Sequence, residues 1–201
     1  MSESKFVWAK SDDPKCAEWE SKGYEFLGES WGAHLTLTPN SDFSNYSSRI
    51  TKSKNMGFEL MQLSEAEVEQ VLALEESTNA DYPYTPATSH PVPTKEELVS
   101  VISNEGIIFG AFFEGKLIGV LSTKKMREKV EFDFASIVSP FRGKGLASAL
   151  GSLAIQTYSE DGIYVFATGG ASVNASSKGT VESLGFEIDE FWRSYKEPSR
   201  S

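Results

Sequence analysis

With 201 residues, 39% hydrophobic and 24% charged, the chain has enough apolar material for a globular core and too much for a disordered one. No apolar run nears the roughly 20 residues a membrane-spanning helix needs, and Met1-Ser2-Glu3-Ser4-Lys5 lacks a basic region leading into an apolar stretch. A net charge of −10 speaks against a nucleic-acid or membrane partner. A single cysteine, Cys16, excludes an internal disulfide, and together with two separated histidines, His34 and His90, it offers no metal-ligand set, so a cytoplasmic, metal-free protein is expected.

Residues 5–37 read as strand, helix, strand. Phe6-Val7-Trp8 is β-prone, Asp12 or Asp13 can cap a helix whose first turn holds Pro14, and Gly23 can close it. Tyr24 to Leu37 is aromatic, β-branched and partly alternating, which predicts a strand. Residues 38–55 are polar with little periodicity and are expected to form a linker. From there the chain reads as one domain over residues 56–201. Gly57 to Leu63 predicts a strand, and Ser64 with Glu67 is a capping box opening a helix through Val68, Val71 and Leu72. Asp81 to Pro93 holds four prolines and excludes a regular element. Thr94 with Glu97 is a second capping box. Gly106–Phe113 and Leu117–Thr123 predict a hairpin across Glu114-Gly115, and Val130–Val138 a third strand. A helix is expected from near Gly143, a strand at Ile163–Ala167, a helix at Asn174–Leu184 and a last strand at Phe186–Tyr195. Interleaved strands and helices with a central hairpin predict an α+β fold around a mixed sheet.

The segment Ile137-Val138-Ser139-Pro140-Phe141-Arg142-Gly143-Lys144-Gly145-Leu146-Ala147-Ser148 places a glycine-containing turn between a strand and a helix. Such a turn aims free N–H groups at one point, and the helix dipole adds partial positive charge there. Gly143 and Gly145 let an anion approach the main chain, and Arg142 and Lys144 can add charge-assisted contacts. A P-loop is excluded because Gly143-Lys144 is followed by Gly145 where that motif needs Ser or Thr. A dinucleotide fingerprint is excluded because Ser148 replaces its third glycine and Val165-Phe166-Ala167-Thr168 carries no acid.

Arg142-Gly143-Lys144-Gly145-Leu146-Ala147 resembles the Arg/Gln-x-x-Gly-x-Gly/Ala loop of the GNAT superfamily of acyl-CoA N-acyltransferases, and Asn174, Ser177 and Leu184-Gly185-Phe186 resemble its second signature at the expected distance. The resemblance covers about Met56 to Tyr195. It implies a mostly antiparallel sheet with splayed middle strands, acetyl-CoA as co-substrate, and its pyrophosphate on the loop. It implies further that Ile137 and Val138 meet the pantetheine arm by their main chains, and that Asn174 reaches it from the other side, although Asn174 also suits a plain helix cap.

In such enzymes a carboxylate on the strand before the loop commonly takes the amine's proton. Strand alternation puts Glu131, Asp133, Ala135 and Ile137 on one face, so Glu131 and Asp133 are both candidates. The tyrosine that many members carry seven residues after the Asn is here Val181, which leaves the general acid open. Cys16 lies far from the signatures, which favours direct transfer in a ternary complex over an acetyl-cysteine. The stretch from Ser77 to Pro93 is where the family covers its acceptor, and Asp81, Tyr82 and Tyr84 could hold a cationic small-molecule or peptide amine. Glu20-Ser21-Lys22-Gly23-Tyr24-Glu25 echoes Glu182-Ser183-Leu184-Gly185-Phe186-Glu187, so residues 1–37 resemble the closing portion of a second copy; adding strands to the sheet, or a homodimer contact, is its expected role. The competing functions are a non-catalytic acyl-CoA-binding module, suggested by Val181, and a purely structural or partner-binding protein.

Overall fold

The computed structural model describes residues 5–81 and 91–198, with backbone alone for Glu105. Within them the elements run β1 (Phe6–Lys10), α1 (Pro14–Ser21), β2 (Glu25–Thr36), α2 (Ser44–Asn55), β3 (Phe58–Gln62), α3 (Val68–Thr78), α4 (Lys95–Ser100), β4 (Gly106–Phe113), β5 (Lys116–Met126), β6 (Lys129–Ile137), α5 (Leu146–Glu160), β7 (Val165–Ala171), α6 (Ala175–Ser183) and β8 (Glu187–Lys196). The strands form one α+β sheet in the order β1-β8-β2-β7-β6-β5-β4-β3, antiparallel at every join except β6–β7.

Local chemistry sets the helix ends. Asp13 caps α1 by accepting from the Lys15 N–H, with Pro14 in the first turn. Both predicted capping boxes are formed, Ser64 with Glu67 and Thr94 with Glu97. Asn174 caps α6, its Oδ1 accepting from the Ser177 N–H at 3.1 Å.

Residues 38–55 are not a linker throughout, because Ser44–Asn55 form α2. Tyr46, Ile50 and Ser53 make its narrow buried stripe, Tyr46 Oη donates to the Leu184 carbonyl, and the Arg49 guanidinium donates to that of Ser183. Helix α2 thus lies on α5 and β3. The largest apolar cluster fills this face, joining Phe109, Leu121, Val130, Phe132, Leu150, Ile155, Phe166 and Val181. On the opposite face α3 and α4 cover β4 to β6 through Val68, Val71, Leu74, Leu98, Ile108 and Val120.

The N-terminal strands join this sheet. Strand β2 lies between β7 and β8, and β1 pairs with β8 from Phe6↔Lys196 to Lys10↔Trp192. The unit β1-α1-β2 mirrors β7-α6-β8: each helix ends in a left-handed glycine, Gly23 or Gly185, and β2 and β8 run antiparallel side by side. Helix α1 packs on β1 and β8 through Cys16 and Trp19 against Ala9 and Tyr195.

Candidate active site

Strands β6 and β7 pair from Lys129↔Val165 to Phe132↔Thr168, and there the pairing stops. Strand β6 runs on to Ile137 and β7 to Ala171, so the two part and leave a wedge between them. The Thr168 hydroxyl closes its apex by donating to the Phe132 carbonyl at 3.2 Å. Past the apex β7 is Gly169-Gly170, packed so tightly on Trp31 that an added Cβ would meet its carbonyl or ring at 2.9 Å.

At the mouth of the wedge, Gly143 and Gly145 both take left-handed conformations, at φ +72° and +79°. Gly145 is the N-cap of α5, so no side chain caps that helix, and no acid stands in its first turn. Helix geometry leaves the N–H groups of Leu146, Ala147 and Ser148 without intrahelical acceptors. A Cβ built on either glycine meets nothing within 4 Å. The combination is open space over a bare, positively polarised helix end, with the Lys144 ammonium held 5.0 Å from the Phe141 ring centre.

The other loop residues sit differently from the sequence expectation. The Arg142 guanidinium folds back on the end of β6: Nε donates to the Ile137 carbonyl at 2.7 Å, and Nη2 meets Asp81 Oδ2 at 2.6 Å. Asp81 therefore faces the loop and ties the end of the α3 segment to the end of β6. The Val138 N–H donates to Ile118, and its carbonyl accepts from Phe141, so its main chain does not edge the wedge as expected. By alternation the main-chain groups turned from β5 are those of Ile137 and Ala135. Asn174 and Ser177 stand half-buried beyond β7, joined by the cap hydrogen bond. Tyr82 and Tyr84 lie outside the described residues.

The two candidate bases share a face, but not with the neighbours that plain alternation assigns. A bulge at Asp133 shifts the register between Phe132↔Thr123 and Phe134↔Ser122. Phe132 consequently packs with the α5 cluster and Phe134 with the α3–α4 cluster, while Ile137 turns to the α5 side. Glu131 is the strand partner of Lys124, and the Lys124 ammonium holds Asp133 at 2.9 Å, so all three project from the α3–α4 face. The Glu131 side chain makes no hydrogen bond or ion pair among the described residues. The acid on hand is thus Glu131, whereas Asp133 is bound to a cation.

No tyrosine described reaches the wedge. Tyr158 shares a hydrogen bond with Thr123 at 2.8 Å, and burial pushes its hydroxyl above the ordinary range. Tyr195 donates to Glu20 at 2.7 Å and is pushed up to about 12, chiefly by burial. Val181 is a core residue. Cys16 is buried under α1, with Sγ donating to the Lys10 carbonyl. No group of acids, histidines and cysteine able to hold a metal occurs among the described residues, and no helix there is long and apolar enough to cross a membrane.

Sequence reasoning passed over one pair on this face. His34 on β2 holds Asp189 of β8 through Nδ1, at 2.8 and 3.0 Å to the two carboxylate oxygens. Its signal could only be topological, since 155 positions separate the partners.

A sequence profile described as "Acetyltransferase (GNAT) family" matches residues 71–186. No curated protein sequence matches the chain. Among solved structures, it is similar to a GCN5-related N-acetyltransferase from Sphaerobacter thermophilus, with 14% identity and a TM-score of 0.71 over 98% of this chain and 62% of that one. A tandem GNAT protein from the clavulanic acid biosynthesis pathway gives 16% and 0.66 over 98% and 65%. An aminoglycoside acetyltransferase from an uncultured soil metagenomic sample, in complex with sisomicin, gives 16% and 0.55 over 65% and 88%. At these identities the likeness is one of fold, and the chain spans less than two thirds of the first two relatives.

Proposed function

The chain belongs to the acetyltransferase (GNAT) family, and from that premise we propose that it is an N-acetyltransferase that moves an acetyl group from acetyl-CoA to a primary amine in a ternary complex. The observation that carries this reading is the juxtaposition at the wedge. A bare α5 N-terminus with two left-handed glycines stands at its mouth, and Glu131, a carboxylate with no partner among the described residues, lies beside its apex.

The residues fit the co-substrate. The first-turn N–H groups after Gly145, with Lys144, suit a pyrophosphate. The Ile137 main chain suits an amide of the pantetheine arm, and Asn174, in the turn between β7 and α6, is assigned to its other side. When bound, acetyl-CoA supplies an activated acyl thioester. Glu131 then takes a proton from the acceptor nitrogen, directly or through water, because an ammonium has no lone pair with which to attack. With Val181 in the core and the described tyrosines engaged elsewhere, the departing sulfur's proton comes from solvent or from the acid that Glu131 has become.

The amine we favour is cationic, from a small molecule or a peptide, because the acids here outnumber the bases, 29 to 19 over the chain. An aminoglycoside acetyltransferase of similar fold, solved with sisomicin, supports this choice. Tyr82 and Tyr84 are assigned to the same acceptor. Buried, unpaired Cys16 fits a cytoplasmic setting.

The test is a titration of acetyl-CoA into the protein by calorimetry, followed by CoA release across a panel of aliphatic amines, amino sugars and peptides with free N-termini. Binding with turnover is expected. Binding without turnover on any amine supports the acyl-CoA-binding module that Val181 suggests, and no binding removes both.

A further inference from the structure

We propose that His34, oriented by Asp189, is a second proton-accepting group of the acceptor site, standing across Ala167 from Glu131; the inference rests on the acetyltransferase reading above.

Register alone brings these residues together. Glu131 on β6 is opposite Ala167 on β7, and Ala167 is opposite His34 on β2. Directly opposed residues point to the same face, so the three form one row across the sheet. The flanking residues agree, because Val130, Phe166 and Leu35 form the neighbouring row and all belong to the α5 cluster. His34 and Glu131 are two strands apart, about 10 Å between Cα atoms at ordinary strand spacing. Only the small, buried side chain of Ala167 lies between them in that row. A carboxylate and an imidazole at those positions can approach one amine head from two sides.

The chemistry of the pair is directional. A carboxylate can only accept, so Nδ1 of His34 must carry the proton it shares with Asp189. That fixes Nε2 as the lone-pair nitrogen of the neutral ring and turns it away from β8. Asp189 can reach His34 because β8 is bulged there: Gly32 pairs with Glu190 and Ala33 with Ile188, leaving Asp189 as the extra residue. The charged groups around the ring are Asp189, Glu187 and Glu190 on β8, with Glu190 held by Lys10 of β1, and Glu131 with its neighbour Lys124 across β7. The ring is 40% exposed in its side chain, open to a ligand.

The step balances within these groups. Glu131 takes the first proton of the acceptor ammonium and leaves the amine neutral with its lone pair free. Once the nitrogen has been acylated, its surplus N–H bond breaks, an N–H bond forms at Nε2, and the positive charge passes to the imidazolium, which Asp189 stabilises. The imidazolium later returns the proton to solvent.

The test uses the intact protein with uniform ¹⁵N-histidine. Only two rings contribute, and H34Q assigns them. The probe is the thioether formed between CoA and N-butyl-2-bromoacetamide, which carries an amide nitrogen into the acceptor space. Relative to CoA alone, the adduct is expected to move the His34 ring signals, and Asp189→Asn to change the tautomer balance reported by the two nitrogen shifts. With any amine turned over, H34Q and H34A should lower kcat by on the order of 10²-fold with wild-type CoA affinity. Adduct that binds but leaves the His34 signals unmoved overturns the proposal, as does wild-type kcat in both variants. Failure of CoA and adduct alike to bind the wild-type protein would instead count against the acetyltransferase reading. Melting curves of the variants check that they are folded.

Discussion

Replacing Gly145 by alanine separates the fold's need for this residue from the ligand's. Gly145 sits at φ +79°, and an added Cβ meets nothing within 4 Å, so the protein itself loses only the left-handed backbone preference. That costs about 1–2 kcal/mol, or a drop of roughly 2–8 °C in Tm for a chain of this size. Binding should suffer much more. The methyl group enters the open space beside the start of α5, where we place the pyrophosphate. Losing two charge-assisted hydrogen bonds costs about 3–6 kcal/mol, on the order of 10²–10⁴-fold in Kd for acetyl-CoA. Gly162→Ala is the matched control. It has φ +82° and equally open surroundings but lies at the far end of α5, so it should show the same Tm loss with unchanged affinity. Calorimetric titration of acetyl-CoA into both variants decides. Equal affinity in the two would refute the placement of the pyrophosphate on this turn.

Four further outcomes are expected. Glu131→Gln should lower kcat by about 10²–10⁴-fold with unchanged acetyl-CoA affinity, with partial rescue at higher pH where more amine is neutral, while Asp133→Asn, whose carboxylate is held by Lys124, should change kcat far less in the same assay. Cys16→Ser should keep full turnover and give no labelled acetyl-enzyme by mass spectrometry, since this thiol is buried under α1. Asp81→Asn should cost about 0.2–1 kcal/mol in denaturant unfolding, as its pair with Arg142 is partly exposed. Tyr195 is raised to about 12, so the native state keeps a proton that the unfolded chain sheds from about pH 10. Stability should therefore fall as pH rises between those values, and Tyr195→Phe should remove that part of the fall in unfolding titrations.

Much of the frame was legible in local chemistry. Asp13-Pro14, the two capping boxes and the glycines after α1 and α6 mark helix ends by groups adjacent in sequence. The strand-to-helix turn with its two left-handed glycines was legible for the same reason. Helix α2 was hidden because its stripe is only Tyr46, Ile50 and Ser53 within a run of serines, asparagines and lysines, though the spacing is helical. The bulge at Asp133 was hidden because Phe132 and Phe134 look like one alternating face, and nothing local says they serve two clusters. Arg142 invited a phosphate role, but its partner Asp81 lies 61 positions away. The insertion of β2 between β7 and β8 is a property of the whole sheet, and with it goes the row from Glu131 to His34.

That insertion has a consequence for how the molecule assembles. Strand β2 pairs only with β7 and β8, and His34 meets Asp189 across 155 positions of chain. Strands β4 to β6 can pair by short hairpins as soon as they are made, and β3 pairs with the next strand in sequence, but β2 must wait for the last strands. Pairing of such high sequence separation forms slowly and sits late on the folding route. The β6–β3 half with α3, α4 and α5 is accordingly expected to protect its amides first in refolding, and the β1-β8-β2 half last. The row from Glu131 to His34 bridges this boundary, so the two residues come into register only in the final closure of the sheet.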